Sequence, residues 1–363
     1  MRCLCCGKEI LTEASAEEKR DMWHERCIRK FFGTKSLPVI DVTRKELDEL
    51  VNETVSRGLT VTGVQKKLSL HLSVDVKNKL TVVNYPTGFI LKPQTEEYEA
   101  LPEFEILGMR LAEIAGIKTV PHALIRLHDD YAYITKRIDR EIMKGRTMRF
   151  AMEDFCQLSY RLTQDKYKGS YEQCGRIVDK YSDTPGFDMT ELYLRIVFSF
   201  LMGNSDMHLK NFSLIEEKPG NRRFHLSAAY DLLPVNVIMP EDTEEMALAL
   251  NEKKRNLRKR DFYSLADSYG MPLKAAEKMI ERLVSLKDAF LAECDRAFLK
   301  EEQKKADHTK NRNSLLISLH CQLVNRSLQE PLQHLQDTVL PVRRTELLRS
   351  CPHFLTAVGN SKA

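Results

Sequence analysis

The chain has 363 residues, 42% of them hydrophobic, which is enough for one large or two ordinary domains and excludes global disorder. Its 56 basic and 52 acidic side chains leave a formal charge of only +4, a mixed surface without the basic excess of a nucleic-acid-binding protein, so direct binding to nucleic acid is not expected. The longest central apolar run, Ile196 to Met202, is far short of the roughly 20 residues that cross a bilayer, and the first residues have no secretory pattern; the expectation is a cytoplasmic protein with no membrane association.

The chain opens with Cys3, Cys5 and Cys6. Cys3 and Cys6 form C-x2-C, and after seventeen intervening residues His24 and Cys27 form H-x2-C. Two close ligand pairs of this kind suit one tetrahedral zinc ion, and using Cys5 in place of Cys6 would spoil the spacing. Zinc contributes on the order of 10 kcal/mol to small modules of this type, so residues 1–33 read as a module with a structural metal. Free thiols on a disordered leader and a nucleic-acid-reading finger are the competing readings. The finger lacks a basic helix, since Arg26, Arg29 and Lys30 are only three charges. Cys156, Cys174, Cys294, Cys321 and Cys351 are scattered and read mostly as packing residues.

Residues 34–140 alternate short strand-like runs with a single helix. Strands are expected over 68–74, 80–85, 88–92, 122–127 and 131–135, with Asp129-Asp130 as a hairpin turn. The helix is expected over 103–115, where Phe104, Leu107, Leu111 and Ile114 recur at helical spacing and Gly116 supplies the stop. From about Arg140 to Lys300 the pattern is mainly helical. One helix begins at Asp188, where Asp188 and Glu191 have the spacing of a capping box, and ends at Gly203. Another follows Pro272 with Met279, Ile280, Leu283, Leu286 and Phe290 on one face. Residues 301–363 read as a tail or a small docking helix. The fold class is thus α+β: a small strand-rich lobe, a helical lobe over 141–300 and the N-terminal zinc-knuckle-like module.

The stretch Gly203 to Leu214, followed by Tyr230-Asp231-Leu232-Leu233, carries the chemistry. Asp206 and Asn211 are five residues apart, the interval at which a kinase catalytic loop sets a base under the acceptor hydroxyl and an amide oxygen on magnesium. The segment 212–228 reads as a hairpin that returns Asp231 towards Asn211 as a second metal ligand. Magnesium takes hard oxygen ligands and keeps several waters, so one carboxylate and one amide beside the nucleotide phosphates suffice. Lys92, at the end of an apolar strand, is the candidate for holding phosphate. Glu103 and Glu105 at the helix entry both offer the carboxylate that orients it, Glu105 being preferred. Each residue alone has a blander reading as a turn or surface residue, but the joint order reproduces a two-lobed kinase plan.

With these residues in place, the chain resembles the HipA-like serine/threonine kinases of bacterial toxin–antitoxin systems, and their short HipT type in particular. The resemblance covers roughly residues 57–300 and rests on Thr62 to Ser69, Phe89 to Pro93, Leu101 to Glu103, Lys136 to Arg140, Glu153 to Gln157, Gly203 to Leu214 and Tyr230 to Leu233. It implies ATP and Mg2+ in a cleft between two lobes, with Lys92 on phosphate, the backbone from Lys136 to Ile138 at the adenine and Asp139 at the ribose. It further implies that Gly63, Val64 and Gln65 belong to a phosphate loop in which Thr60 or Thr62, standing where serines are usual, is autophosphorylated; as surface β-formers the two threonines would have no such role. The substrate it implies is a protein of translation, notably an aminoacyl-tRNA synthetase. The partner it implies is a HipB-like DNA-binding antitoxin. Longer members carry a further N-terminal subdomain that has no counterpart here, so a small separate HipS-like protein is expected in its place.

Two readings of other classes stand beside the kinase. A small-molecule phosphotransferase shares the Asp, Asn and Asp but not the flanking blocks, and a binding module that has lost catalysis would not need all four of Lys92, Asp206, Asn211 and Asp231. Within the loop, His208 and Lys210 are candidates for orienting it and for contacting transferred phosphate. The basic runs Lys253 to Arg255 and Arg258 to Arg260 suit either a solvated face or a surface for nucleic acid or an acidic partner.

Overall fold

A computed structural model describes residues 1–40, 67–73, 79–83, 88–143 and 146–304. In the first half two short helices, α1 (Ala16–Asp21) and α2 (Glu25–Phe32), precede β1 (Val39–Ile40), β2 (Leu68–Ser73), β3 (Lys79–Val83), β4 (Phe89–Pro93), α3 (Leu101–Ile114), β5 (His122–Leu127) and β6 (Asp130–Lys136). The six strands form one sheet in the order β1-β3-β2-β4-β6-β5, antiparallel except where β1 pairs with β3.

Residues paired across antiparallel strands share a face, and here the register sorts apolar from functional residues. Leu68, Leu70, Phe89, Leu91, Ile134, Ala123, Ala132 and Ile125 line one face, all buried. Ile90, Lys92, Tyr133 and Thr135 lie on the other. The apolar face is covered by α2, whose Phe31 and Phe32 rings lie 5.9 and 5.3 Å from that of Phe89 and pack with the fully buried Trp23. The N-terminal residues therefore supply core to the small lobe. α3 is buried on nearly every side, including Glu105 and Arg110, because the sheet, the N-terminal segment and the helical lobe all pack on it.

The structure departs from the sequence-based expectation at four places. The β5–β6 turn is His128-Asp129, with His128 at φ 57°, and Asp130 already pairs with Leu127. Residues 140–154 are not helical: β7 (Arg140–Met143) and β8 (Arg146–Arg149) form a ribbon, and β9 (Met152–Asp154) joins a second sheet. The helix expected from Asp188 begins a turn earlier, as α6 (Pro185–Met202), after α4 (Phe155–Leu158) and α5 (Tyr171–Tyr181). Pro185 occupies its first turn, where a missing N–H costs nothing. Asp188 instead accepts hydrogen bonds from Ser182 Oγ and the Leu226 amide, and Glu191 pairs with Arg195, so no capping box forms. The expected long helix after Pro272 breaks at Leu286 into α9 (Leu273–Ser285) and α10 (Lys287–Asp295).

Between α6 and these helices lie β10 (Ser213–Glu216), β11 (Phe224–Leu226), α7 (Val235–Ile238) and α8 (Lys259–Ser268); α11 (Glu301–Lys304) is the last described element. The order β11-β10-β9 puts β10 at the centre of the second sheet. The expected hairpin over 212–228 is thus the β10–β11 pair, and it carries the chain back to Asp231.

Gly108 on α3 lies against this return. A β-carbon there would sit 2.1 Å from the Leu232 carbonyl oxygen, far inside contact distance and against backbone that cannot swing away. Gly108→Ala is expected to destabilise the chain by roughly 2 kcal/mol or more, read as a lowered urea midpoint; an unchanged midpoint would mean that α3 does not approach so closely.

Candidate active site

Strand β4 delivers Lys92 to the face of the sheet that meets α3. Its Nζ donates to Glu105 Oε1 at 2.6 Å and is also paired with Asp231 Oδ1. Lys92 is 5% exposed and Glu105 0%. Burial alone would lower the lysine, but Asp231 and then Glu105 hold it above the usual lysine range. Against its own burial, the Asp231 carboxyl is held well below the ordinary range by Lys92 and then Lys67. Of the two helix carboxylates, Lys92 takes Glu105 and not Glu103, whose carboxyl burial pushes up to about 7.

Asp231 adopts φ 55°, a left-handed conformation that costs an L-residue roughly 1 kcal/mol. Its neighbours fix it. The Ala229 amide donates to the Lys118 carbonyl at 2.7 Å, and Tyr230 O–H donates to the Lys210 carbonyl at 3.1 Å.

Gly203, at φ 76°, ends α6 and releases the loop that carries Asp206. The loop is pinned along its length. The Asp206 amide donates to Asn204 Oδ1 at 3.3 Å, Tyr171 O–H donates to the Met207 carbonyl at 2.9 Å, and the Leu209 amide donates to the Lys166 carbonyl at 3.2 Å. Asn211 Oδ1 accepts from the His208 amide at 3.1 Å. Asp206 Oδ1 accepts from Tyr167 O–H at 2.6 Å. Burial raises the Asp206 carboxyl above its ordinary value, and the Tyr167 hydrogen bond and Lys166 only partly offset this.

His208 is buried, its ring edge-on to Tyr167 at 5.1 Å and its Nδ1 without a hydrogen-bond partner among the described residues. Burial and then Lys166 push it down to about 3, so it is neutral near pH 7. Lys210 Nζ donates to Asp154 Oδ2 at 2.6 Å, and Asp154 also caps α4 through a capping box with Gln157. The loop and the second sheet are thus tied together by an ion pair.

Lys92, Asp206, Asn211 and Asp231 line one cavity of about 740 Å³, whose far wall includes Lys136, Ile138 and Asp139. The Asp139 oxygens are already engaged: Arg137 donates at 2.9 and 2.8 Å and Arg140 at 3.2 and 2.6 Å. Despite its burial, these guanidinium groups hold the Asp139 carboxyl at about 2. Gly63, Val64, Gln65, Thr60 and Thr62 lie outside the described residues. Lys67, Lys166 and Tyr167 are cavity residues to which residue spacing assigns no role. Tyr167 lies 39 residues before Asp206 in a loop without periodicity, where only the fold reveals it. In the basic runs, Lys253 pairs with Asp261 and Lys254 with Glu244.

The fold and the cleft define a protein of the two-lobed, kinase-like class. Residues 59–290 match the sequence model of the HipA-like C-terminal domain, and the chain belongs to that family. It is 32% identical over 251 residues to the putative kinase Y4dM of Sinorhizobium fredii, covering 63% of this chain and 59% of that protein. It is 25% identical over 234 residues to the serine/threonine-protein kinase toxin HipA of Shewanella oneidensis, covering 59% of this chain and 52% of that one. The chain thus spans little more than half the length of these relatives. Its fold is similar to that of HipA in the solved complex of Shewanella oneidensis HipA, HipB and operator DNA, with a TM-score of 0.60 at 19% identity over 76% of this chain and 70% of that one.

Removing the cation from the buried cluster tests how much it carries. Lys92→Met strands the Glu105 and Asp231 carboxylates and is expected to cost roughly 3 kcal/mol, seen as a lower urea midpoint. Lys92→Met with Glu105→Gln should recover a large part of that loss. A wild-type midpoint for Lys92→Met would show that the cluster adds nothing to stability, and equal midpoints for the single and double variants that the stranded Glu105 charge is not the source of the loss.

Proposed function

We propose that this chain is an ATP- and Mg2+-dependent serine/threonine protein kinase, the toxin of a type II toxin–antitoxin pair. The observation that carries this reading is the convergence of Lys92, Asp206, Asn211 and Asp231 on one cleft between a sheet and a helical lobe, with Glu105 buried behind Lys92. Two of the three ammonium protons of Lys92 are used by Glu105 and Asp231, which leaves one for a nucleotide phosphate. The donors fit magnesium: Asn211 Oδ1 and the Asp231 carboxylate are hard oxygens, and Asp231 is held anionic. When bound, the ion would neutralise charge on the phosphates.

In this reading Asp206 takes the proton of an acceptor hydroxyl through the oxygen not engaged by Tyr167. The hydroxyl oxygen then bonds to the γ-phosphorus, the bond from that phosphorus to the β,γ-bridging oxygen breaks, and ADP leaves. Lys210 is held by Asp154 at the edge of the cleft and neutral His208 supports the loop. The loop containing Gly63, Val64 and Gln65 covers the phosphates, with Thr60 and Thr62 as autophosphorylation sites. The Lys136–Ile138 backbone takes the adenine, and a ribose bound at Asp139 shares that carboxylate with two arginines. Kinship with HipA, which is known in a complex with HipB and operator DNA, supports a HipB-like antitoxin as partner. The HipT type, a HipS-like third protein and an aminoacyl-tRNA synthetase as substrate belong to the same proposal.

Incubation with labelled ATP, Mg2+ and a cell lysate should label a discrete protein, and Asp206→Ala should reduce the label at least about 100-fold. Label on small alcohols alone, or equal label with Asp206→Ala, would overturn the reading. The pH profile gives a second check. The rate should fall on the acid side with an apparent pKa above that of free aspartate, because burial favours the protonated base. Tyr167→Phe removes a hydrogen bond that favours the carboxylate, so it should move that acid limb to higher pH. A shift to lower pH would contradict Asp206 as the base.

A further inference from the structure

The N-terminal segment wraps one edge of the main sheet. β5 is an edge strand, and edge strands present unpaired backbone groups. At Leu124 both groups are taken by the N-terminal segment: the Leu124 amide donates to the Leu4 carbonyl at 3.1 Å, and the Leu124 carbonyl accepts from Trp23 Nε1 at 3.2 Å. On one side of that edge α2 covers the apolar face through Phe31 and Phe32. On the other, the 3–7 loop lies against α3, with Arg110 Nη2 3.5 Å from the Leu4 and Cys5 carbonyls and its guanidinium packed where a Gly7 β-carbon would be.

The same Arg110 reaches the helical lobe, 3.6 Å from Glu293 on α10 and 5.2 Å above the Phe298 ring. Arg2 pairs with Glu293 as well. The two arms of the wrap, the loop and α2, are joined where Cys3, Cys6, His24 and Cys27 meet. One ligand atom from each lies within 4.8 Å of all the others.

This cluster has the chemistry of a closed zinc site. A tetrahedron with Zn–S bonds of ~2.3 Å has its ligand atoms roughly 3.5–3.8 Å apart, and His24 Nδ1 lies 3.3 Å from Cys6 Sγ and 3.9 Å from Cys27 Sγ. His24 Nε2 donates to the Glu9 carbonyl at 3.1 Å, which fixes the tautomer with the Nδ1 lone pair facing the sulfurs. The His24 amide donates to Cys3 Sγ at 3.4 Å.

We propose that Cys3, Cys6, His24 and Cys27 bind one zinc ion, and that this ion closes a clip around the β5 edge that holds α3, and with it Glu105, in place against the sheet. The metal site is independent of the kinase reading; only the use made of Glu105 rests on it. The ion acts at a distance from the cleft, through the 3–7 loop and Arg110, so its removal loosens α3 without touching Lys92 or Asp206.

Metal analysis of the purified full chain by mass spectrometry should find one zinc per chain. Cys3→Ser and Cys27→Ser should each lose it, whereas Cys5→Ser, which alters a neighbouring thiol outside the set, should keep it. Iron in place of zinc, a metal-free wild-type chain, or zinc retained by both Cys3→Ser and Cys27→Ser would overturn the site. The clip is read on wild-type protein stripped of metal by a chelator and then reloaded. Amide exchange over 101–114 and at Leu124 should speed up at least tenfold on stripping and return on adding zinc, while α6 stays unchanged. Unchanged exchange over 101–114 would overturn the clip, and neither result depends on phosphoryl transfer, so a failure here is distinct from a failure of the kinase reading.

Discussion

The buried contact of Lys92 with Glu105 and Asp231 is the constraint on which the rest of the architecture depends. It joins a strand, a helix and the return from the β10–β11 hairpin, elements from both halves of the chain, with Lys92 and Glu105 buried and Asp231 partly open to the cleft. A charge so placed is tolerable only when its partners are held to within a fraction of an ångström. The surrounding structure supplies that rigidity. The register of β4 against β6 sets Lys92 over the Tyr133 ring, at 5.4 Å. Gly108 lets α3 close on the Leu232 carbonyl, one helical turn from Glu105, so the same face of the helix presents a carboxylate to the lysine and a gap to the backbone beside Asp231.

The second acidic centre is built differently. Asp206 sits on a loop, and its fixity comes from hydrogen bonds contributed by α5, by the segment before it and by the Tyr230 ring. Tyr167 and Lys166 belong to that segment and shape both the position and the proton affinity of the carboxylate. The two carboxylates therefore differ by environment and not by residue type. Lys92 outweighs burial at Asp231 and holds it charged, whereas burial with a weaker compensation leaves Asp206 more ready to take a proton, the difference that the proposed roles of metal ligand and base call for.

How much of this was legible in the sequence depended on whether the signal was local. The strand expected over 88–92 and found over 89–93, the helix expected over 103–115 and found over 101–114, the stop at Gly203 and the β10–β11 hairpin all arise from short patterns, and they carry Lys92, Glu105 and Asp231. The corrections arise where tertiary contacts override a local pattern. Asp188 has the spacing of a cap but is taken by Ser182 and the Leu226 amide; the apolar stripe after Pro272 continues past a break at Leu286 that periodicity does not register. Tyr167 was invisible because nothing in an irregular loop marks which side chain a fold will turn towards a carboxylate 39 residues away. Asp139 illustrates the converse. Its place beside the cleft came from a resemblance, but the two arginines flanking it in sequence, Arg137 and Arg140, are what its oxygens meet.

The N-terminal residues show most clearly why a composition boundary is not a structural one. Read along the chain, residues 1–33 are a cysteine-rich stretch with its own metal chemistry, separable from the remainder of the protein. Packed, they provide the aromatic layer over one face of the sheet and satisfy both backbone groups of Leu124 on its edge. Trp23, Phe31 and Phe32 form the aromatic layer over the apolar face, two of them from a helix of eight residues, too short to hold a position by its own propensity. The strand that carries Lys92 is also the strand that Phe31 and Phe32 pack upon, so the N-terminal residues support the sheet from the face opposite the cleft.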